Sequence, residues 1–142
     1  IKRTTAPQDL KLERTLTSRD VLVLQDTVRR VPCADHIMRY AMRLVRATRV
    51  EEGNVPKVVT DYVSWGAGPR AVRFLILGAK ARALLNGRHY VSGEDIRAVA
   101  HPVLRHRIIC NFSAEAEGIS SNTVVDRLIE DIPRNEADRV PA

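Results

Sequence analysis

From Pro69 to Leu85 the chain is apolar on nearly every side, with charge confined to Arg70, Arg73, Lys80 and Arg82. At ~100° per residue, Phe74, Leu77, Ala81, Leu84 and Leu85 share one helical face. Val72, Leu75, Ile76, Ala79 and Ala83 cover most of the opposite one. A helix of this kind must be packed on more than one side, so it belongs at the centre of a helical domain. Arg70 falls in line with Phe74, Leu77 and Ala81, which directs its head group along a face expected to be buried. There it needs a partner, or a place at the edge of a cleft where a partner arrives.

The residues leading into this helix read Trp65-Gly-Ala-Gly-Pro-Arg-Ala71. Gly68 can act as the N-cap, and Pro69 suits the first helical position because its missing N–H would be unpaired there anyway. Arg70 then lies in the first turn, where the positive end of the helix dipole disfavours a cation. Two readings fit. Free N–H groups and a guanidinium fork together make a receptor for a phosphate group, with Gly68, Pro69 and Arg70 as its binding residues. Alternatively, Arg70 caps a buried helix end and pairs with a nearby carboxylate.

The rest of the chain reads as helices around this one. Thr17 or Ser18 caps a helix through Val31, with Val21, Leu24, Val28 and Val31 at helical spacing, and Pro32 ends it. A second runs from about Ala34 to Arg49 and buries Ile37, Tyr40, Ala41, Leu44 and Val45. The segment from Glu51 to Ser64 is expected to be irregular. The central helix closes at Gly87. Ser92 caps the next helix, with Glu94 and Asp95 in its first turn, and Pro102 should kink or restart it before a continuation to Ile108. A loop from Asn111 to Ser120 precedes a last helix carrying Val124, Val125, Leu128 and Ile132. The expected fold is all-α, a compact bundle of about five helices over residues 17–132. Residues 1–16 form a lead-in or linker, and 133–142 a flexible tail.

A chain of 142 residues is the size of one domain and can bury about two-thirds of its unfolded surface. No apolar run approaches the ~20 residues of a membrane span, and no signal-peptide pattern opens the chain. These features suggest a cytoplasmic protein, and an initial Ile rather than Met suggests a piece of something longer. Cys33 and Cys110 are far apart and read as two thiols of a reducing compartment rather than a disulfide. The net charge of +6 favours an acidic partner. The arginines are scattered, however, and aromatic content of 4% argues against a single-strand stacking platform. Nucleic acid is therefore not the expected partner, and a solvated helical face or contact with acidic surfaces of a partner domain is preferred.

Catalytic signatures are sparse. His101 and His106 lie on different helical faces, and neither they nor the Cys33–His36 pair offers a metal-ligand spacing, so no metal site is expected. There is no nucleophile elbow and no His-Glu-x-x-His. The Gly-x-x-x-x-Gly-Lys-Ser/Thr loop is also missing, since Gly78-Ala79-Lys80 sits inside a helix. The chain by itself is not expected to hydrolyse a nucleotide.

Trp65-Gly-Ala-Gly-Pro-Arg70-Ala, then Leu85-Asn-Gly-Arg-His-Tyr-Val-Ser-Gly-Glu-Asp-Ile-Arg-Ala-Val-Ala100 and Pro102-Val-Leu-Arg-His-Arg107, resembles the C-terminal lid of MoxR-type AAA+ ATPases. Val28-Arg-Arg-Val31 and Leu44-Val-Arg-Ala-Thr-Arg49 are similar to the helices that open that lid. The resemblance implies that Arg70 is the sensor-2 residue, acting on ATP held with Mg2+ by a neighbouring core domain. Gly68 replaces the family's usual small polar residue. Walker A, Walker B, sensor 1 and the arginine finger belong to the core domain. The resemblance further implies a hexameric ring with chaperone-like remodelling activity, and von Willebrand A-domain proteins as partners. Tyr90-Val-Ser-Gly-Glu-Asp-Ile is also similar to the strand-loop-helix ending of histone-like folds. A basic nucleic-acid-binding module and a purely structural adaptor are therefore the competing expectations.

Overall fold

A computed structural model describes residues 13–134, and helix α4 (Arg70–Leu85) lies at its centre against α1 (Ser18–Arg30), α2 (Asp35–Arg46) and α5 (Gly93–Leu104). The all-α expectation holds. The residues of α4 that are fully buried are Ala71, Leu75, Ala79 and Ala83. Three small side chains in that stripe let α5 and α2 approach the helix axis closely. The expected Phe74 face is instead the more open one, because Leu77 and Ala81 are half-buried and Phe74 is 45% exposed. Two faces of nearly equal apolarity leave periodicity unable to choose between them; packing chose the alanines.

The α2 prediction was met residue for residue: Ile37, Tyr40, Ala41, Leu44 and Val45 are its buried side chains. Ser92 likewise caps α5, and α7 (Ser121–Asp131) buries Val124, Val125 and Leu128. At the C-terminal end of α4, Gly87 adopts φ +69° and completes a Schellman closure. The Arg88 N–H donates to the Ala83 carbonyl at 2.9 Å, and the Gly87 N–H to the Leu84 carbonyl at 2.9 Å.

Several expectations are corrected. The segment after Glu51 is not irregular: a 3₁₀ turn (Val50–Glu52) leads to α3 (Lys57–Tyr62) and β1 (Val63–Trp65). The expected loop after Asn111 contains α6 (Phe112–Ala116), capped by the Asn111 side chain, which accepts the Ala114 N–H at 3.0 Å. β1 pairs antiparallel with β2 (Ile109–Cys110), Val63 opposite Cys110 and Trp65 opposite Ile109. Pro102 does not restart a helix, since α5 runs through it to Leu104. A proline so close to the end removes one backbone donor and is followed by little helix to disturb. Helix α1 buries none of its residues, although Thr17, one of the two caps expected, does cap it and forms a capping box with Asp20. Residues 1–12 of the lead-in and 135–142 of the tail lie outside the described residues. Arg134, which was expected to fray, instead pairs with Glu94 at 2.7 Å.

Candidate functional site

The chain enters α4 over the C-terminal end of α2. Thr48, two residues past α2 and fully buried, donates its hydroxyl to the Val45 carbonyl at 2.7 Å. The same oxygen accepts the Ala67 N–H at 2.8 Å. Arg49 donates its Nε to the Ala67 carbonyl at 3.0 Å, so consecutive residues hold both backbone polar groups of Ala67. Gly66 is required by close approach: a Cβ there would lie 2.3 Å from the Thr48 carbonyl oxygen.

Beyond this contact Gly68 has open space around it, and Pro69 takes helical angles of φ −57° and ψ −27°. The helix itself begins at Arg70 with Pro69 as its cap residue, one position later than the cap anticipated at Gly68, although Pro69 already has helical angles. The first turn is tighter than anticipated. The Ala71 N–H donates to the Gly68 carbonyl at 3.0 Å and the Val72 N–H to the Pro69 carbonyl at 3.2 Å. At this entry the Arg70 N–H and the Gly68 N–H are left without a backbone partner among the described residues. The guanidinium therefore carries more of any anion contact than a nest of backbone amides does.

Arg70 is exposed, which corrects the expectation that it points along a buried face. Among the described residues neither it nor Arg73 has a hydrogen-bond or ion-pair partner. The carboxylate-paired alternative for Arg70 thus finds no carboxylate. On the same open face Arg107 stacks over the Phe74 ring at 5.1 Å, placing a second guanidinium one turn further along α4. Arg70 and Arg73 thus sit at the positive end of the helix, and among the described residues no carboxylate pairs with either.

Among the described residues, several other arginines are engaged within the fold, which accounts for part of the basic balance. Arg82 and Arg88 both reach Asp95, at 2.7 and 2.6 Å, and Arg46 reaches Glu52 at 2.5 Å. Arg97 donates to the Tyr40 hydroxyl at 3.0 Å. Asp95 is fully buried and also accepts the Ser92 N–H at 2.9 Å and the Ser92 hydroxyl at 2.8 Å. The Arg88 hydrogen bonds hold its carboxyl well below the usual carboxylate range, against the opposing effect of burial, with Ser92 and Arg82 adding to the depression. The sequence reading placed Asp95 in a first helical turn but missed these two guanidinium partners.

The remaining candidates carry no chemistry of their own. His101 contacts Asp126 at 2.8 Å and Asn122 at 3.3 Å, while His106 meets the neighbouring Arg107 side chain. Cys33 and Cys110 are free, half-buried thiols, each pushed up by burial and so poorly set up as nucleophiles. Among the described residues no cluster of His, Cys, Asp or Glu could hold a metal ion, and no helix is long and apolar enough to cross a membrane.

Similarity to known proteins converges on one family. The AAA lid domain family matches residues 56–128. Chaperone MoxR1 of Mycobacterium tuberculosis is 33% identical over 126 residues, covering 89% of this chain and 33% of its own length. Protein MoxR of Methylorubrum extorquens is 46% identical over 55 residues, 38% of this chain and 16% of that protein. In the crystal structure of a protein assigned as an ATPase from Cytophaga hutchinsonii, 40% of the chain superposes on 92% of this one. The TM-score is 0.83 at 32% identity. The chain spans about a third of the length of the first two curated relatives it matches.

Proposed function

Because the chain belongs to the AAA lid domain family in its MoxR-type form, we propose that it senses ATP bound to an adjoining core domain, through Arg70. The observation that carries this reading is the state of Arg70 itself. It is exposed, without an anionic partner among the described residues, and it stands at the positive end of a helix whose start is held by Thr48 and Arg49. A cation left in that position is stabilised by an anion from outside the domain, and a triphosphate supplies one.

Phosphoryl transfer depends on positioning and on stabilising charge at the γ-phosphate. An arginine on a lid helix contributes one charge-assisted contact that ATP offers and ADP lacks, and so biases the angle between lid and core. Mg2+ would be held with ATP by the core domain. In this reading the moving lids of a hexameric ring couple hydrolysis to chaperone-like remodelling of partner proteins in the cytoplasm. Von Willebrand A-domain proteins are among the candidate partners.

The test is Arg70→Ala in the full-length ATPase that carries this domain. Turnover should fall about 10³-fold, by analogy with arginine fingers. The apo protein's melting temperature should stay nearly unchanged, since an exposed arginine without a partner contributes little to folding. Arg70→Lys should restore only part of the rate, because an ammonium lacks the planar fork. Normal hydrolysis in Arg70→Ala would remove the sensing role.

A further inference from the structure

Resting on that reading of Arg70, we infer that Thr48 and Arg49 are positioning residues, which fix where the guanidinium of Arg70 meets the nucleotide. Three independent contacts converge within two residues. The Thr48 hydroxyl accepts the Ala67 N–H at 2.8 Å, Arg49 Nε donates to the Ala67 carbonyl at 3.0 Å, and the Gly66 backbone rests on the Thr48 carbonyl. Thr48 is one of only two buried polar or charged residues among those described, and its single hydroxyl both donates and accepts. A group so placed is kept in register by the end of α2, because its donor bond runs to Val45 of that helix.

The consequence for Arg70 follows from chain geometry. Ala67 is three residues before Arg70, and only Gly68 and Pro69 intervene. Proline has a fixed φ, and the Gly68 carbonyl accepts the Ala71 N–H at 3.0 Å, which ties the linker to the first turn. The path of the chain into α4 is therefore set at Ala67. Packing of the buried Ala71, Leu75, Ala79 and Ala83 places the body of α4, and the two Ala67 contacts add the fine placement of its entry and first turn relative to the end of α2. Arg49 is itself steadied by Glu52 at 3.9 Å, and Glu52 by Arg46 at 2.5 Å, which extends the support along the outer side of α2. A displacement of about 1 Å in a group that clamps a reacting phosphate can cost on the order of 10²-fold in rate. A loosened Ala67 contact is thus visible in turnover even where the fold survives.

A double-mutant comparison in the full-length ATPase tests this. Thr48→Val keeps the shape of the side chain and removes the hydroxyl; Arg49→Ala alters a side chain that is partly open to solvent and leaves the core intact. Each should lower kcat about 10- to 100-fold when Arg70 is present, with the KM for ATP little changed. In an Arg70→Ala background each should change kcat less than about 2-fold, because a misplaced arginine that is already missing can do no further harm. Thr48→Ser, which keeps the hydroxyl, should restore most of the rate. The same fold loss in both backgrounds would make Thr48 and Arg49 purely structural and overturn the proposal. If Arg70→Ala alone leaves turnover normal, the sensing role of Arg70 fails first and takes this inference with it. A defect confined to Thr48→Val and absent from Arg49→Ala would overturn the role of Arg49 alone.

Discussion

The two ends of α4 carry arginines in opposite circumstances. At the C-terminal end, Arg82 and Arg88 converge on the buried carboxylate of Asp95, and Gly87 closes the last turn. Cations there also complement the negative end of the helix dipole. At the N-terminal end, Arg70 and Arg73 face the positive pole with no carboxylate among the described residues. Local electrostatics is obeyed at one end and broken at the other. Arg19, Arg39 and Arg105 are also exposed without a partner among the described residues, so what sets Arg70 apart is its place in the first turn of α4 rather than the lack of a partner alone. The open end is where an outside anion adds most, and the closed end is where removal of a group hurts the fold most.

The strongest way to break this contrast is at Asp95. Asp95→Ala leaves two neighbouring guanidinium groups without their shared carboxylate and removes the Asp95 half of the capping box at Ser92. It should destabilise the domain by about 3–5 kcal/mol. Arg70→Ala should stay within about 0.5 kcal/mol of the parent. Urea denaturation of both variants, read by circular dichroism, compares them directly; equal losses would erase the distinction between the two ends.

Acid sharpens the same contrast. The folded-state pKa of Asp95 is depressed, so its contribution is fully present above the unfolded carboxylate value of about 3.9 and is lost as pH falls further. Lower pH should therefore narrow the stability gap between the parent and Asp95→Asn, beginning near pH 4, while the gap stays flat from pH 5 to 7. Thermal melts across that range are sufficient. A gap that grows on acidification would mean the carboxyl is already protonated in the folded protein.

How much of this was legible in the sequence depended on the range of the interaction. The core of α2, the Gly87 closure and the Ser92 cap are set by residues within one or two turns, and period and capping rules reached them. The Asp95 partners come from α4 and from the segment after it, and nothing in local spacing pairs Arg82 or Arg88 with it. Thr48 and Gly66 are likewise joined only by the fold. β1 and β2 are three and two residues long, too short for an alternating pattern to register, and α3 and α6 are single short helices of the same kind. Arg70 stands out in the sequence because it breaks a local rule, but its exposure is not legible there, because periodicity does not separate the two apolar faces of α4.

A smaller effect is expected at Gly87. With φ +69° the position favours glycine, and Gly87→Ala should cost about 1 kcal/mol without affecting nucleotide response in the full-length protein. An ATPase assay beside a melting curve separates the two. Loss of turnover out of proportion to stability would show that the closed end also communicates with the nucleotide.

The smallest expected change in stability is the most informative about the open end. Gly68 has nothing within 4 Å of where a Cβ would lie, and its φ is not positive, so Gly68→Asp fits without strain. An aspartate there can accept a first-turn N–H and sits at the positive pole of α4, which should stabilise the isolated domain by about 0.5 kcal/mol. The same carboxylate lies two residues from Arg70 and supplies internally the anion that the site otherwise lacks. Turnover of the full-length ATPase should then fall, because the guanidinium must exchange one partner for another and the γ-phosphate meets added negative charge. Stability and activity would move in opposite directions from one substitution. If the domain gains stability while hydrolysis is unaffected, the phosphate does not approach this end of α4, and the unpaired state of Arg70 needs another explanation.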